Sequence, residues 1–387
     1  PLRVLVGALR ALGMGLQIVQ VGLGGVGQAL VEQYLALTDR YPWLGYAGLA
    51  DRSGLCLMLP GGWPAQELRA ALEAKRRGEQ LETFAREREG QASFVPAAAS
   101  GLPDLGAFAG AGDVLAAETV VVDVTAERAA YDLMLAARQW GAHIVMCNKW
   151  ALAEPTERWE ALLGAGKGKM LYETTVGAAL PVIGTLDRLL DTDDEVKSIE
   201  AAISGTLGFV CSEIQRGVAF STALADAQAR GFTEPDPRDD LGGIDARRKA
   251  LILARKLGMR MDMGDVRVES LVPQGLEAVG LDEFWRRLPE ADAGYAARVA
   301  ESKERGNVLR FLARIDESGA SVGLAETPEN SLAGSLNGTE SLFVFHTRRY
   351  GDQPLAVRGR GAGAEVTASG VLADILQIGD QMVRVRQ

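Results

Sequence analysis

The sequence predicts an α/β protein of two domains: a doubly wound parallel sheet over residues 16–150 and an α+β domain over residues 151–350. Two observations support this prediction. In the first part of the chain, apolar runs typical of buried strands alternate with helical patterns, as in βαβ units. After Pro155, the predicted strands are separated by long helices, which favours a mostly antiparallel or mixed sheet. We expect the segment 351–387 to return to the first domain.

The first strand, LQIVQV, begins at residue 16, and residues 1–15 are expected to be a terminal extension or an added strand. A glycine turn of the form G-x-G-x-x-G follows and leads into a helix. Such glycines permit a tight turn, close approach of a pyrophosphate, and close packing of helix on strand. The helix N-terminus directs free N–H groups at phosphate. A Rossmann-type dinucleotide site is therefore predicted at Gly22, Gly24, Gly25, Val26 and Gly27.

A second apolar run, YAGLA, ends at Asp51-Arg52-Ser53, where contact with the cofactor ribose is expected. Asp51 would accept hydrogen bonds from a ribose 2′-OH, which favours NAD. Arg52 and Ser53 would instead hold a 2′-phosphate, which favours NADP. Because a guanidinium group matches phosphate geometry, the prediction leans to NADP.

Further elements follow in order. Residues 63–112 are predicted to be helical and then loop-like, and strands at 119–125 and 143–148 flank an amphipathic helix. Strands of the second domain are predicted at 169–176, 196–204 and, as a hairpin, 307–327. A glycine turn and helix at 358–376 are expected to come back to cover the cofactor, which would make the first domain discontinuous.

Composition excludes several classes of protein. The net charge of −10 argues against general binding to nucleic acid or to a membrane surface. No apolar run approaches the roughly 18 residues of a membrane span. The 3 cysteines form no C-x-x-C pair, which excludes a disulfide scaffold and a cysteine-built zinc site and indicates a cytoplasmic protein.

The segment Gly231–Gly258 is the most informative for chemistry. Its prolines and glycines predict a rigid loop through Gly243, followed by a helix that opens near Ile244. On that helix Asp245 and Lys249 are one turn apart. Two interpretations stay open: a surface salt bridge, or a site in which the acidic loop holds the ammonium group of an amino-acid substrate.

The stretch EPDPRDDLGGIDARRK at 234–249 resembles the signature of homoserine dehydrogenases, most closely the dehydrogenase half of the bifunctional aspartokinase–homoserine dehydrogenases. Similar motifs occur in the same order at 22–27, 122–126, 147–153, 172–181, 204–209 and 358–376. The resemblance implies NAD(P)H-dependent reduction of L-aspartate 4-semialdehyde to L-homoserine, in threonine and methionine biosynthesis. It also implies a homodimer, whose contact surface we expect within 196–215 and 305–350.

The resemblance also implies roles for single residues. Lys249 matches the proton donor, Asp245 its partner, and Lys149 the lysine between nicotinamide and substrate. Substrate binding is assigned to Glu234, which matches the ligand of the amino group, and to Asp240 and Thr206.

Further assignments concern the cofactor and a cation. Thr125 and Ala126 match the strand end that lines the nicotinamide, and Gly363 is added to the cofactor site. A site for sodium or another monovalent cation is implied at Glu173 and the carbonyl groups of Val176, Ala178 and Leu180. Oxygen ligands of this kind suit a hard cation.

Three departures from the family pattern stand out. Ala179 replaces a usual glycine, and Gly208 replaces a usual Asn or Ser. The sequence stops soon after residue 376, so an appended regulatory domain with threonine feedback is not expected.

Two other functions remain as alternatives. One is a semialdehyde dehydrogenase with Cys147 as nucleophile, since His143 lies four residues earlier on the same strand face. The other is a non-catalytic regulator that has kept a dinucleotide-binding fold.

Overall fold

The computed structural model describes residues 15–58, 62–98, 102 and 118–386, with side chains up to residue 380. Apart from Gly15, the predicted N-terminal extension lies outside the described residues. The chain forms two compact units, one that ends at Ala179 and resumes at Gly363, and one that spans Leu180–Ala362. The predicted α/β class, a parallel nucleotide-binding sheet plus a second sheet domain, is confirmed.

The strands of the first unit are β1 (Leu16–Val21), β2 (Leu44–Asp51), β3 (Gly54–Met58), β4 (Ala92–Pro96), β5 (Thr119–Asp123), β6 (His143–Met146) and β7 (Met170–Leu171). They form one sheet in the order β4-β3-β2-β1-β5-β6-β7. Neighbouring strands in the series β2-β1-β5-β6-β7 pair in parallel. At one edge, β3 pairs antiparallel with β2, and β4 pairs antiparallel with β3. Strand order reverses between β1 and β5, and ligands of such sheets bind beyond the carboxyl ends at this point.

The helices of the first unit are α1 (Gly25–Leu35), α2 (Ala65–Arg76), α3 (Leu81–Arg86), α4 (Ala130–Trp140), α5 (Thr156–Gly164) and α6 (Thr174–Gly177). Every residue of β1 and β5 is buried. Continuous apolar runs of this kind form strands that are covered on both faces, as the sequence predicts.

The strands of the second unit are β8 (Val196–Ala202), β9 (Arg267–Val268), β10 (Asn307–Asp316), β11 (Gly319–Pro328), β12 (Glu340–Thr347) and β13 (Leu355–Arg360). They form a mixed sheet in the order β13-β12-β8-β10-β11-β9. The predicted hairpin is β10 with β11, whose register pairs Asp316 with Gly319 across the turn. Sequence patterns did not identify β12 and β13 as strands.

The helices of the second unit are α7 (Ile183–Asp191), α8 (Gly205–Gln215), α9 (Phe220–Ala229), α10 (Arg238–Leu241), α11 (Ile244–Lys256), α12 (Leu281–Arg287) and α13 (Asp292–Glu304), with 3₁₀ turns at Met263–Asp265 and Leu288–Ala291. Helices α8, α11 and α13 pack on β10. The chain then returns to the first unit as α14 (Ala364–Arg386), which packs on α1. Among the described helices, none is both long and apolar enough to cross a bilayer.

Three segments differ from expectation. Of the strand predicted at 169–176, only β7 forms; it pairs with β6 in the first sheet, and α6 follows it. β13 falls within the expected return segment 351–387 but pairs with β12 in the second sheet. The loop expected within 63–112 contains β4, which pairs with β3. Short strands of this kind take their place from cross-strand partners, which local patterns do not reveal.

Candidate active site

The glycine turn between β1 and α1 has the geometry of a phosphate cradle. Gly22 has a φ of +108°, and a Cβ there would lie 3.0 Å from the carbonyl oxygen of Val124 at the end of β5. A Cβ on Gly27 would lie 2.2 Å from the carbonyl oxygen of Gly22, so the helix packs tightly on the turn. Gly24 is exposed, with nothing within 4 Å of such a Cβ. Open space there, below the free N–H groups of α1, fits a pyrophosphate.

The return segment lies beside this turn. Gly363 has a φ of +116° and precedes α14, and a Cβ on Gly25 would lie 3.5 Å from Cβ of Ala364. About two helical turns further along α1, Gln33 Nε2 donates to the carbonyl oxygen of Glu365 at 2.8 Å. Gly363 is therefore close to the glycine turn, on the side where Gly25 begins α1.

Asp51 at the end of β2 is occupied by contacts within the first unit. Its Oδ2 accepts hydrogen bonds from Lys75 Nζ at 2.6 Å and from Leu81 N at 3.0 Å, and its Oδ1 accepts from Ser53 N at 2.8 Å. Burial raises the pKa of Asp51, but the hydrogen bonds from Lys75, Ser53 and Leu81 outweigh it and hold the pKa below its usual range. By contrast, the Arg52 side chain is 87% exposed and contacts Glu127 Oε1 at 3.0 Å.

A buried network lies at the end of β5. Asp123 is fully buried, and its Oδ1 accepts from Thr125 N at 2.9 Å and from Thr125 Oγ1 at 2.7 Å. Asn148 Nδ2 donates to Thr125 Oγ1 at 3.2 Å and to the carbonyl oxygen of Glu127 at 2.8 Å. Burial raises the pKa of Asp123 to about 6, with the charge of Glu127 adding to the effect. Ala126, the next residue, is exposed.

Lys149 lies in the turn after β6. Asn148, a member of the network described above, precedes it. Trp150 N donates to Asn148 Oδ1 at 3.0 Å, and Ala153 N donates to the carbonyl oxygen of Lys149 at 3.0 Å. The lysine itself is half-buried. The Asn148–Thr125 hydrogen bond thus joins the ends of two neighbouring strands, β6 and β5, next to Lys149.

The proposed cation loop follows β7. Glu173 N donates to Asp374 Oδ2 at 3.1 Å, and burial, with the charge of Glu173, raises the pKa of Asp374 to about 7. Val176 is buried within α6, and Ala178 beyond it has a φ of +52°, in the region that favours glycine. The carbonyl oxygen of Leu180 accepts from Val182 N at 2.8 Å. Within the described residues, no cluster of three His, Cys, Asp or Glu side chains could hold a metal.

In the second unit, the Asp245–Lys249 pair forms on α11 as the spacing predicts. Lys249 Nζ lies 2.8 Å from Asp245 Oδ2 and donates to the carbonyl oxygen of Ile203 at 2.8 Å. The Lys249 side chain is 14% exposed, against 53% for Asp245. Gly243, with a φ of +67°, begins this helix, and a Cβ there would lie 3.2 Å from the ring of Phe311. The helix start is therefore held against the sheet.

The acidic loop is organised around Asp240. Its Oδ1 accepts from Thr206 Oγ1 at 2.9 Å, and its Oδ2 accepts from Glu234 N at 2.8 Å. Burial raises the pKa of Asp240. The negative charges of Glu234 and Asp245 raise this pKa further. Glu234 is exposed. In contrast, Asp236 is bound by the guanidinium of Arg238 at 2.9 Å.

Comparison with known proteins decides the family. The model of the homoserine dehydrogenase family matches residues 181–376, and that of the homoserine dehydrogenase NAD binding domain matches residues 22–170. The chain belongs to the homoserine dehydrogenase family. Its first unit is thus a nucleotide-binding domain of the NAD(P) type.

Three relatives illustrate this membership. A homoserine dehydrogenase from Emericella nidulans is 37% identical over 67% of this chain and 75% of that protein. A bifunctional aspartokinase/homoserine dehydrogenase from maize is 39% identical over 67% of this chain, but the match spans only 29% of the maize protein. The crystal structure of a putative homoserine dehydrogenase from Archaeoglobus fulgidus is 25% identical, with a TM-score of 0.71 over 94% of this chain and 99% of that one.

The surroundings of Cys147 and His143 do not favour cysteine chemistry in this member of the homoserine dehydrogenase family. Burial raises the pKa of Cys147, and the charge of Lys149 offsets this only in part. His143 Nδ1 accepts a hydrogen bond from Lys169 N at 2.9 Å, so this nitrogen is not available as a base for the thiol.

The sequence analysis predicts no role for Gln20, a polar residue near the glycine turn. It stands inside the run LQIVQV, whose pattern indicates only a buried strand. It is fully buried, and its amide contacts the glycine turn. A glutamine inside an otherwise apolar strand is the signal that could have identified it, because buried amides need hydrogen-bond partners.

Proposed function

We propose that this chain catalyses NAD(P)H-dependent reduction of L-aspartate 4-semialdehyde to L-homoserine. The observation that carries the proposal is the Lys249 ammonium group, which Asp245 and the carbonyl oxygen of Ile203 hold in place. The charge of Asp245 also acts on the Asp240 carboxylate, which accepts a hydrogen bond from Glu234 N. Such a pair of features can serve both ends of the substrate: a proton donor for the aldehyde oxygen, and negative charge for the amino group.

The bound cofactor supplies hydride to the aldehyde carbon, and negative charge then grows on the carbonyl oxygen. Lys249 has three N–H groups. Because two of them are directed at Asp245 and Ile203, the third has a defined direction in which to donate to this oxygen. General acid assistance of this kind contributes about 10²–10⁴-fold to a rate. Asp245 keeps the ammonium in place.

The substrate amino group is assigned to Glu234 and Asp240. Both lie in the acidic loop, and Thr206 and the backbone of Glu234 fix the Asp240 carboxylate. A fixed carboxylate loses little side-chain entropy when it binds a cation. In the first unit, Thr125, Ala126 and Lys149 are assigned to the nicotinamide end of the cofactor.

For the cofactor, we infer a preference for NADP. The Asp51 carboxylate accepts four hydrogen bonds, from the backbone N–H and hydroxyl of Ser53, from Lys75 Nζ and from Leu81 N. These use about the four acceptor positions of a carboxylate, so none is left for a ribose 2′-OH. Arg52 is highly exposed, and its guanidinium can exchange Glu127 for a 2′-phosphate. Ser53 lies next to it but bonds Asp51, so Arg52 carries most of the preference.

A monovalent cation is proposed at Glu173 and the carbonyl groups of Val176, Ala178 and Leu180. The contact of Glu173 N with Asp374 Oδ2 brings a second carboxylate near this loop, so added positive charge is favourable there. Turnover compared in sodium and in tetramethylammonium buffers, for the natural chain and for Glu173→Gln, tests this. Equal turnover in both buffers would remove the cation from the proposal.

We further infer a homodimer built through the second unit, with its contact within 196–215 and 305–350. Helices α8, α11 and α13 all pack on β10, and an apolar sheet face left without such helices needs other cover. Light scattering at micromolar concentration would show a dimer mass.

The three cysteines are unpaired, which supports a reducing, cytoplasmic location.

The central test is an assay of NADPH oxidation with L-aspartate 4-semialdehyde, with chromatographic identification of L-homoserine as product. One homoserine should form per cofactor oxidised. A chain that binds the cofactor without turnover would instead be a regulator. A product acid, formed with cofactor reduction and abolished by thiol alkylation, would identify the cysteine enzyme.

A further inference from the structure

We propose that Gln20 is a positioning residue that holds the glycine-rich turn in the shape required to bind the dinucleotide pyrophosphate. The inference rests on the assignment of an NAD(P) cofactor to the first unit. Gln20 is the penultimate residue of β1 and has no exposed surface. Its Nε2 donates to the carbonyl oxygen of Gly22 at 2.8 Å and to that of Gly27 at 3.0 Å. One amide group therefore joins the first and the last glycine of the motif.

The orientation of this amide is fixed from the other side. Gln20 Oε1 accepts a hydrogen bond from the Tyr46 hydroxyl group at 2.7 Å. If the amide were turned over, its oxygen would face the two carbonyl oxygens and no donor would serve them. Tyr46 is itself immobilised: it is buried, and its ring lies edge-on to Tyr34 with centroids 4.8 Å apart.

The direction of the Gly22 carbonyl group decides what the turn offers to a ligand. In a trans peptide the C=O and the following N–H point in opposite directions. Holding the Gly22 oxygen inward therefore turns the Leu23 N–H away from Gln20. The same logic applies one peptide later, where Gln28 Nε2 donates to the carbonyl oxygen of Leu23 at 3.0 Å. Two glutamines thus fix consecutive peptides of the cradle in which Gly24 is open.

Filling a cavity does not account for this residue. An apolar side chain at position 20 would leave the Gly22 oxygen without the donor it now has, and unpaired buried carbonyl groups are costly. The contact is also tight, since a Cβ on Gly27 would lie 2.8 Å from Gln20 Nε2. The turn would have to rotate its Gly22 peptide outward to find a new partner, which would disturb the N–H groups that face the phosphates.

The test is direct binding of NADPH and, separately, of NADH to the full chain, followed by nicotinamide fluorescence. Gln20→Leu should weaken both dinucleotides by about tenfold, equivalent to about 1.4 kcal/mol, because both share the pyrophosphate. Tyr46→Phe should weaken both in the same ratio but to a smaller extent. Gln17→Leu is the matched control: this glutamine is also buried in β1, but near the start of the strand. It should bind both cofactors normally.

The inference is overturned if Gln20→Leu binds both cofactors as Gln17→Leu does, or if it weakens NADPH alone. If Gln20→Leu does not fold, Tyr46→Phe decides: joint weakening supports the inference and unchanged binding overturns it. A natural chain that binds neither dinucleotide would overturn the cofactor assignment and the role of Gln20 together. A natural chain that binds both but does not reduce the semialdehyde would overturn the proposed reaction and leave the role of Gln20 intact.

Discussion

The ammonium group of Lys249 lies 2.8 Å from the carboxylate of Asp245, which stands one turn earlier on the same helix. The pair is unequal, because Asp245 is half exposed while Lys249 is largely covered and also donates to Ile203. An exposed carboxylate adds little to stability through such a contact, about 0–1 kcal/mol. A contribution this small agrees with the proposal that Asp245 positions the Lys249 ammonium group.

Lys249→Ala should therefore lower kcat by about 10²–10⁴-fold, with cofactor binding little changed. Asp245→Ala should fall in the same range, and the double variant should be little worse than either single one. Lys256→Ala is the matched control, since this lysine lies on the same helix and pairs with Asp187. Steady-state kinetics of the four variants measure the effect.

Lys149 provides the competing assignment for the proton donor. If Lys149→Ala abolished turnover while Lys249→Ala kept most of it, the donor would be Lys149. If Lys249→Ala and Asp245→Ala both stayed as active as Lys256→Ala, the pair on α11 would be a surface salt bridge.

Arg52→Ala should reduce kcat/KM for NADPH by about tenfold or more while leaving that for NADH nearly unchanged, because only NADPH carries the phosphate that Arg52 would bind. Arg86→Ala is a suitable control, as Arg86 is also highly exposed and paired with a glutamate. Equal losses with both cofactors would rule out the phosphate role of Arg52.

Ala178→Gly should stabilise the protein by about 1 kcal/mol, because the φ of +52° at Ala178 strains any residue with a Cβ. Ala179→Gly is the comparison, because Ala179 does not have a positive φ. Glycine there increases the conformational entropy of the unfolded chain, so this variant should lower the free energy of unfolding by roughly 0.5 kcal/mol. Urea unfolding of both variants measures the difference. If Ala178→Gly and Ala179→Gly lowered the free energy of unfolding equally, the backbone at Ala178 would not be strained.

Asp123 should make stability depend on pH. Its pKa is raised to about 6 in the folded chain, so the folded state holds a proton that the unfolded state releases near pH 4. Its contribution is complete below about pH 4 and is lost as the pH rises through about 6, a change of about 2–3 kcal/mol. The difference in free energy of unfolding between the natural chain and Asp123→Asn should decline over this range. A difference that is constant with pH would contradict the raised pKa.

The sequence was most informative where a motif has a local physical cause. The glycine turn follows from backbone freedom, and the wholly buried β1 and β5 follow from apolar runs. The helix that starts at Ile244 follows from the prolines and glycines before it. The side-by-side placement of Asp245 and Lys249 follows from helical spacing alone.

Features set by distant partners were not predictable in this way. Whether Asp51 faces a ribose or the protein depends on Lys75, which lies on α2. The pairing of β7 with the first sheet and of β13 with the second depends on neighbouring strands. The strained backbone also falls at Ala178, one residue before the position where an unusual alanine was noted.

The C-terminal helix α14 has a consequence for the order in which the protein is made. Ala368, Val371 and Ile375 are fully buried in the core of the first unit, although the whole second unit precedes them in the chain. A ribosome therefore completes residues 180–362 before it delivers the helix that finishes the first core. During that interval the nascent nucleotide-binding sheet keeps an uncovered apolar surface, and this is the period in which a chaperone would protect it.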